Sequence, residues 1–224
     1  METQIKSLED LKGILSHPLD GLTKDDDVIK KTQERFEQIA RSLFGNFAIQ
    51  CGGKQFRFAE IEFYYYKQRE WNEDWNKETY PRNNKQAGEL FYHYSGVDIC
   101  FASHFNKNNT AEFGGILIRS LLDEDKILAG PLYCANLMLN TCQNNLPMLT
   151  HVVHKDFLIK STKRCNIKSD KQASMQLNLC YFADTYNGNK LDWTNTCVRE
   201  DWDKNLERIK HAKRNYLNDR KFED

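Results

Sequence analysis

Positions 28, 29, 32, 36, 39, 40, 43 and 44 recur at helical spacing as Val28, Ile29, Thr32, Phe36, Ile39, Ala40, Leu43 and Phe44. Thr23 stands before them as an N-cap with Asp26 three residues on, and Gly45 follows as a stop. A short strand is expected over 46–50, and Gly52-Gly53 reads as a turn. Phe56 to Lys67, dense in aromatic residues, gives the strongest strand pattern in the chain. Residues 89–94 and 97–103 read as two strands around Ser95-Gly96, and Phe113 to Leu122 as an apolar strand interrupted by Arg119. Pro131 opens a helix over 132–142. Strands follow at about 157–168 and 175–183, then a helix at about 202–220 with Trp202, Leu206, Ile209 and Tyr216 as its stripe. The expected fold is a single α+β domain over 1–224, a mixed but mostly antiparallel curved sheet with flanking helices. Its parts are an N-terminal helical segment to about 45, a core from about 46 to 184 and the C-terminal helix.

Within the strand 56–67, side chains alternate between faces. Phe56, Phe58, Glu60, Glu62 and Tyr64 fall on one face, and Arg57, Ala59, Ile61, Phe63 and Tyr65 on the other. Burying two unpaired carboxylates is costly, so Glu60 and Glu62 meet solvent, find cations, or line a site. In a partly dry site, such an acid suits general base chemistry. Arg119 poses the converse question: a guanidinium among apolar residues needs an anion, either a structural partner (Asp98 or Glu60) or a ligand.

Composition narrows the classes. The 224 residues are 40% hydrophobic and 29% charged, ordinary for a globular chain. No apolar run approaches the roughly 18 residues of a membrane span, and the start lacks the apolar core of a signal peptide. Seven cysteines without a C-x-x-C pair read as reduced, and the cytoplasm is the expected address. Net charge is zero, so any nucleic-acid footprint must be a local patch. Lys160, Lys163, Arg164, Lys168 and Lys171 form one candidate and the basic tail from Asp203 to Lys221 another; both also read as solvated faces. His151 and His154 lack companion ligands, so no metal is expected, and no phosphate loop or dinucleotide fingerprint calls for a cofactor.

Several segments, taken in order, resemble the alkyladenine (3-methyladenine) DNA glycosylase family. Ala59-Glu60-Ile61-Glu62-Phe63-Tyr64 resembles its E-T-E-A-Y strand, and Tyr80-Pro81-Arg82-Asn83 its T-P-R-N segment. Gly88 to Tyr92 resembles G-T-L-Y-V, Val97-Asp98-Ile99 resembles M-N-I, and Gly115 to Leu121 resembles V-L-L-R-A-L. Gly130-Pro131 opening a helix is similar to the family's G-P element. The resemblance covers about 56–140. It implies a metal-free, cofactor-free hydrolase that flips a modified purine from duplex DNA and cleaves its glycosidic bond with activated water. Glu62 would then be the general base, with Tyr64, His93, Asp98 and Arg119 around the base and Tyr94 as a wedge. Arg82, Lys163, Arg164 and Lys168 would be nucleic-acid contacts. The family's water-binding histidine has no counterpart; Glu73 and Asp74 stand near its place. Two other readings stay open: a nucleobase or nucleic-acid binding module without catalysis, and a protein-interaction domain anchored by Trp71, Trp75 and Trp193.

Overall fold

The structure is a computed structural model that describes residues 5–20, 28–67, 80–105, 111–142, 145–153, 157–164 and 177–193. The chain divides into a compact unit, Met1–Leu191, and a second unit, Asp192–Asp224, of which only residues 192 and 193 are described. The expected C-terminal helix, Trp71, Trp75 and Lys168 lie outside the described residues.

Helix α1 (Leu8–Ser16) starts at a capping box: the Asp10 amide donates to Ser7 Oγ at 3.1 Å, and the Ser7 amide donates to Asp10 Oδ2 at 2.9 Å. Its Leu11 and Leu15 are buried. Helix α2 (Val28–Asn46) carries the expected stripe, with Phe36, Ile39, Ala40, Leu43 and Phe44 all buried. It runs past Gly45 and passes straight into β1 (Phe47–Cys51). Gly52, at φ 56°, turns the chain into β2 (Lys54–Lys67). A 3-10 turn at Tyr80–Arg82 precedes β3 (Leu90–His93), β4 (Gly96–Cys100) and β5 (His104–Phe105). Then come β6 (Ala111–Asp123), β7 (Lys126–Ala129), α3 (Pro131–Thr141), β8 (Met148–His151), β9 (Phe157–Thr162), β10 (Cys180–Tyr186) and β11 (Asn189–Lys190).

Eleven strands join in one curled sheet with the order β11-β10-β2-β6-β4-β3; β1, β5, β7, β8 and β9 pair beside this path. Every pairing among the described residues is antiparallel, where parallel segments were also expected. The architecture is otherwise the α+β arrangement expected.

Two faces of the sheet are covered differently. On one, Phe36 of α2 stacks on Phe63 with ring centroids 4.8 Å apart and meets the edge of Tyr65 at 6.0 Å. On the other, α3 packs against β4 and β6, and a side chain at Gly96 would stand 2.9 Å from Pro131 Cβ. Glu62 and Asp98 both pair in register with Leu117, so they share that second face.

The long β2–β6 ladder is pulled close at Gly114, where an added Cβ would collide with the Tyr64 carbonyl oxygen. Gly114→Ala must therefore part the two strands, at a cost of about 3 kcal/mol. Urea unfolding should show the loss as a lower midpoint at unchanged slope, and an unmoved midpoint would contradict so close an approach.

Candidate functional site

Alternation along β2 would by itself place Glu60 and Glu62 side by side, and the register with β6 supplies their cation. The pairing steps over Ala59 on β2 and over Arg119 on β6, with Glu60 opposite Ser120 between the two shifts. Arg119 Nε donates to Glu60 Oε1 at 3.0 Å, while its Nη1 lies 2.9 Å from Glu62 Oε2. Ser120 Oγ donates to Glu60 Oε2 at 3.1 Å. The Cys180 thiol, across the neighbouring strand, points to Glu60 Oε1 at 3.4 Å. Tyr64, two residues along the same face, donates its hydroxyl to Glu62 Oε1 at 2.5 Å. Glu62 is 0% exposed, and its two oxygens meet Tyr64 and Arg119 respectively. One guanidinium shared by two buried carboxylates satisfies the requirement that such charges be paired.

A second ion pair adjoins the first. Asp98, also 0% exposed, binds Arg82 Nε through Oδ2. The His93 ring approaches the same oxygen with Nε2 at 3.2 Å. Ser95 Oγ lies 2.9 Å from His93 Nδ1. The space for Arg82 comes from Gly115, opposite Tyr64: a Cβ there would lie 3.0 Å from both Arg82 Nε and Asp98 Cβ. Arg82 also lies over the Tyr64 ring, 5.2 Å from its centroid, and Arg164 at 5.0 Å. Arg164 Nη1 donates to the Phe63 carbonyl at 3.0 Å. Burial, and then the Glu62 carboxylate beside it, hold the Tyr64 phenol well above its ordinary range, so at neutral pH it remains a donor.

The partners differ in part from those weighed in the sequence. Arg119 takes Glu60, one of the two expected partners, and adds Glu62; Asp98, the other, takes Arg82 instead. The Gly114-Gly115 pair inside an apolar strand was the available signal, because paired glycines there mark a close approach by other groups.

Along the β3–β4 hairpin the rings form a row. Lys85 Nζ sits 4.3 Å from the Phe91 centroid, Phe91 stacks with His93 at 5.6 Å, and His93 meets Tyr94 edge-on at 6.1 Å. Tyr94 occupies the turn and is 89% exposed. Thus Glu62, Tyr64, Arg119, Arg82, Asp98 and His93 form one connected chain of contacts, with Tyr94 and Arg164 at its borders. Lys163 is exposed beside Arg164, and Trp193 is half-buried.

Three grooves lie elsewhere: about 700 Å³ beside α2 at Glu34 and Arg41, about 420 Å³ between α1 and β8 at Leu8 and Met148, and about 240 Å³ at Lys160 and Tyr181. Among the described residues, no group of three or more His, Cys, Asp and Glu side chains is placed to hold a metal ion. No described helix is long and apolar enough to cross a membrane. No protein-family model, curated protein or solved structure matches this chain.

Two outcomes follow. Arg119→Met leaves Glu60 and Glu62 as adjacent buried carboxylates without the guanidinium they share and should cost about 3–5 kcal/mol in urea unfolding. Adding Glu60→Met and Glu62→Met should recover most of that loss. The phenol of Tyr64, with its folded value raised above the ordinary 10.0, contributes stability that is complete below pH 10 and lost as pH rises beyond it. Tyr64→Phe should therefore flatten the alkaline fall in stability by about 1.4 kcal/mol per pH unit. An identical slope in the variant would show that Tyr64 ionises equally in both states.

Proposed function

We propose that this chain binds nucleic acid and takes a base against the surface formed by Tyr64, His93 and Tyr94. The carrying observation is the row of rings flanked by cations along the β3–β4 hairpin: Lys85 on Phe91, Phe91 on His93 and Tyr94 beyond, with Arg164 on the Tyr64 ring; Arg82, expected as a nucleic-acid contact, is instead buried against Asp98. Aromatic side chains offer stacking to any base, and cations at the border such as Lys163 and Arg164 would neutralise phosphates. A neutral total charge is compatible with this, because the cations need only gather at one edge. The ordered resemblance to the alkyladenine glycosylases supports the same surface and makes a flipped or unpaired base its ligand.

A second reading adds hydrolysis of the N-glycosidic bond, with Glu62 as the group that polarises water. One specific observation favours it: Arg119 and Tyr64 fix the carboxylate in a single orientation, the preorganisation a general base needs. Against it stand the full burial of Glu62 and the absent histidine. Binding alone is therefore the primary reading.

Fluorescence anisotropy with labelled single-stranded and duplex oligonucleotides tests binding. Tyr94→Ala and Tyr64→Ala are each expected to weaken it by about 1–3 kcal/mol, and affinity should fall steeply with salt. Salt-independent binding, or wild-type affinity in both variants, would refute the reading. Single-turnover incubation of excess protein with an alkylated-purine duplex tests the second. Base release abolished in Glu62→Gln would establish hydrolysis, and no release by the wild type would leave binding alone.

A further inference from the structure

The groove of about 420 Å³ between α1 and β8 lies apart from the row of rings. Alternation along β3 separates the two: Leu90 and Tyr92 line the groove, whereas Phe91 and His93 belong to the row. Leu8, Leu90, Met148 and Leu149 make apolar walls. Lys12 follows Leu8 by one helical turn. Its stem lies against Gly88, where a Cβ would stand 3.4 Å from Lys12 Cγ. Lys12 is exposed, forms no ion pair among the described residues, and is the one charged residue of the described lining. The Tyr92 hydroxyl is buried and has no hydrogen-bond partner among the described residues. Burial holds this phenol above its ordinary range, so it stays a donor. The described lining thus offers two donor side chains, one of them cationic, and no acid.

We propose that this groove binds a free medium-chain alkyl carboxylate, its chain along the leucines and Met148 and its head at Lys12. Small-ligand sites are mostly apolar concavities with a few placed polar groups, and this lining has that composition. Its volume falls at the lower end of the ~300–1,000 Å³ of such sites, which suits a chain of about eight to ten carbons. The sign of the head follows from the lining: a cation without an ion pair, and no acid, select an anion. A single cation matches a single negative charge, so a carboxylate fits better than a phosphate ester. A carboxylate accepts on both oxygens, so it can take the Lys12 ammonium and supply the acceptor that the Tyr92 hydroxyl lacks. Lys12 keeps its ammonium at the solvent edge, where holding a charged head does not require drying it completely.

Isothermal titration calorimetry of the full chain with hexanoate, octanoate and decanoate, each below its aggregation concentration, tests the assignment. One saturable site per chain is expected, tightening about two- to fourfold with each added methylene. Octanol, which lacks the charge, should bind about tenfold more weakly than octanoate. Lys12→Met should remove that difference, and Tyr92→Phe should weaken octanoate about tenfold. Met148→Asp alters a wall residue that is 61% exposed, so the fold tolerates it while the new charge repels the anion. No saturable heat with decanoate, equal affinity along the series, or octanol binding as tightly as octanoate would overturn the proposal. So would wild-type affinity for octanoate in Lys12→Met, Tyr92→Phe or Met148→Asp.

Discussion

Arg119 holds together what β2 would otherwise push apart. Two glutamates two residues apart on one strand face the same way, and in a dry layer their charges repel at short range. The guanidinium answers both because it is planar and forked, offering one N–H to each carboxylate. A lysine ammonium could approach both oxygens only as a point charge, without that division of donors. The adjoining register shifts determine where Arg119 falls relative to Glu60 and Glu62, so the irregular ladder and the ion cluster form one feature.

From this cluster the rest of the surface is laid out in sequence. Glu62 fixes the Tyr64 hydroxyl, the Tyr64 ring carries Arg82 and Arg164, and Arg82 fixes Asp98 beside His93. Each group is oriented by the one before it. The arrangement places buried, mutually neutralising charges beneath rings nearer the surface. A base received by those rings would meet a stiff platform, because the polar layer below has few alternative pairings.

Much of this was legible in the amino-acid order. The shared face of Glu60, Glu62 and Tyr64 follows from strand alternation alone, and the demand for an arginine partner follows from the cost of buried charge. Helix α2, the β1–β2 turn and the β3–β4 hairpin were also readable from spacing and turn residues. The partner assignments were less so, because choosing between Glu60 and Asp98 for Arg119 requires the strand register, which a bulge changes by one residue. Short edge strands such as β7 and β8 escaped because four residues carry too little periodicity. Helix α1 carries its own start signal in the chain, Ser7 and Asp10 as a capping box ahead of Leu11 and Leu15. Most of the polar stretch after β2 and the basic C-terminal segment lie outside the described residues.

The join between α2 and β1 has a mechanical meaning. Helix ends at Asn46 and strand begins at Phe47, with no residue left over to absorb rotation. Phe47 is buried, and the Asn46 carbonyl accepts from the Val152 amide at 2.8 Å, so the joint is gripped from the side as well. A hinge needs a few backbone angles free to turn, and here there are none to spare. Tilting α2 would therefore pull directly on β1 and, through its ladders, on β2 and β8.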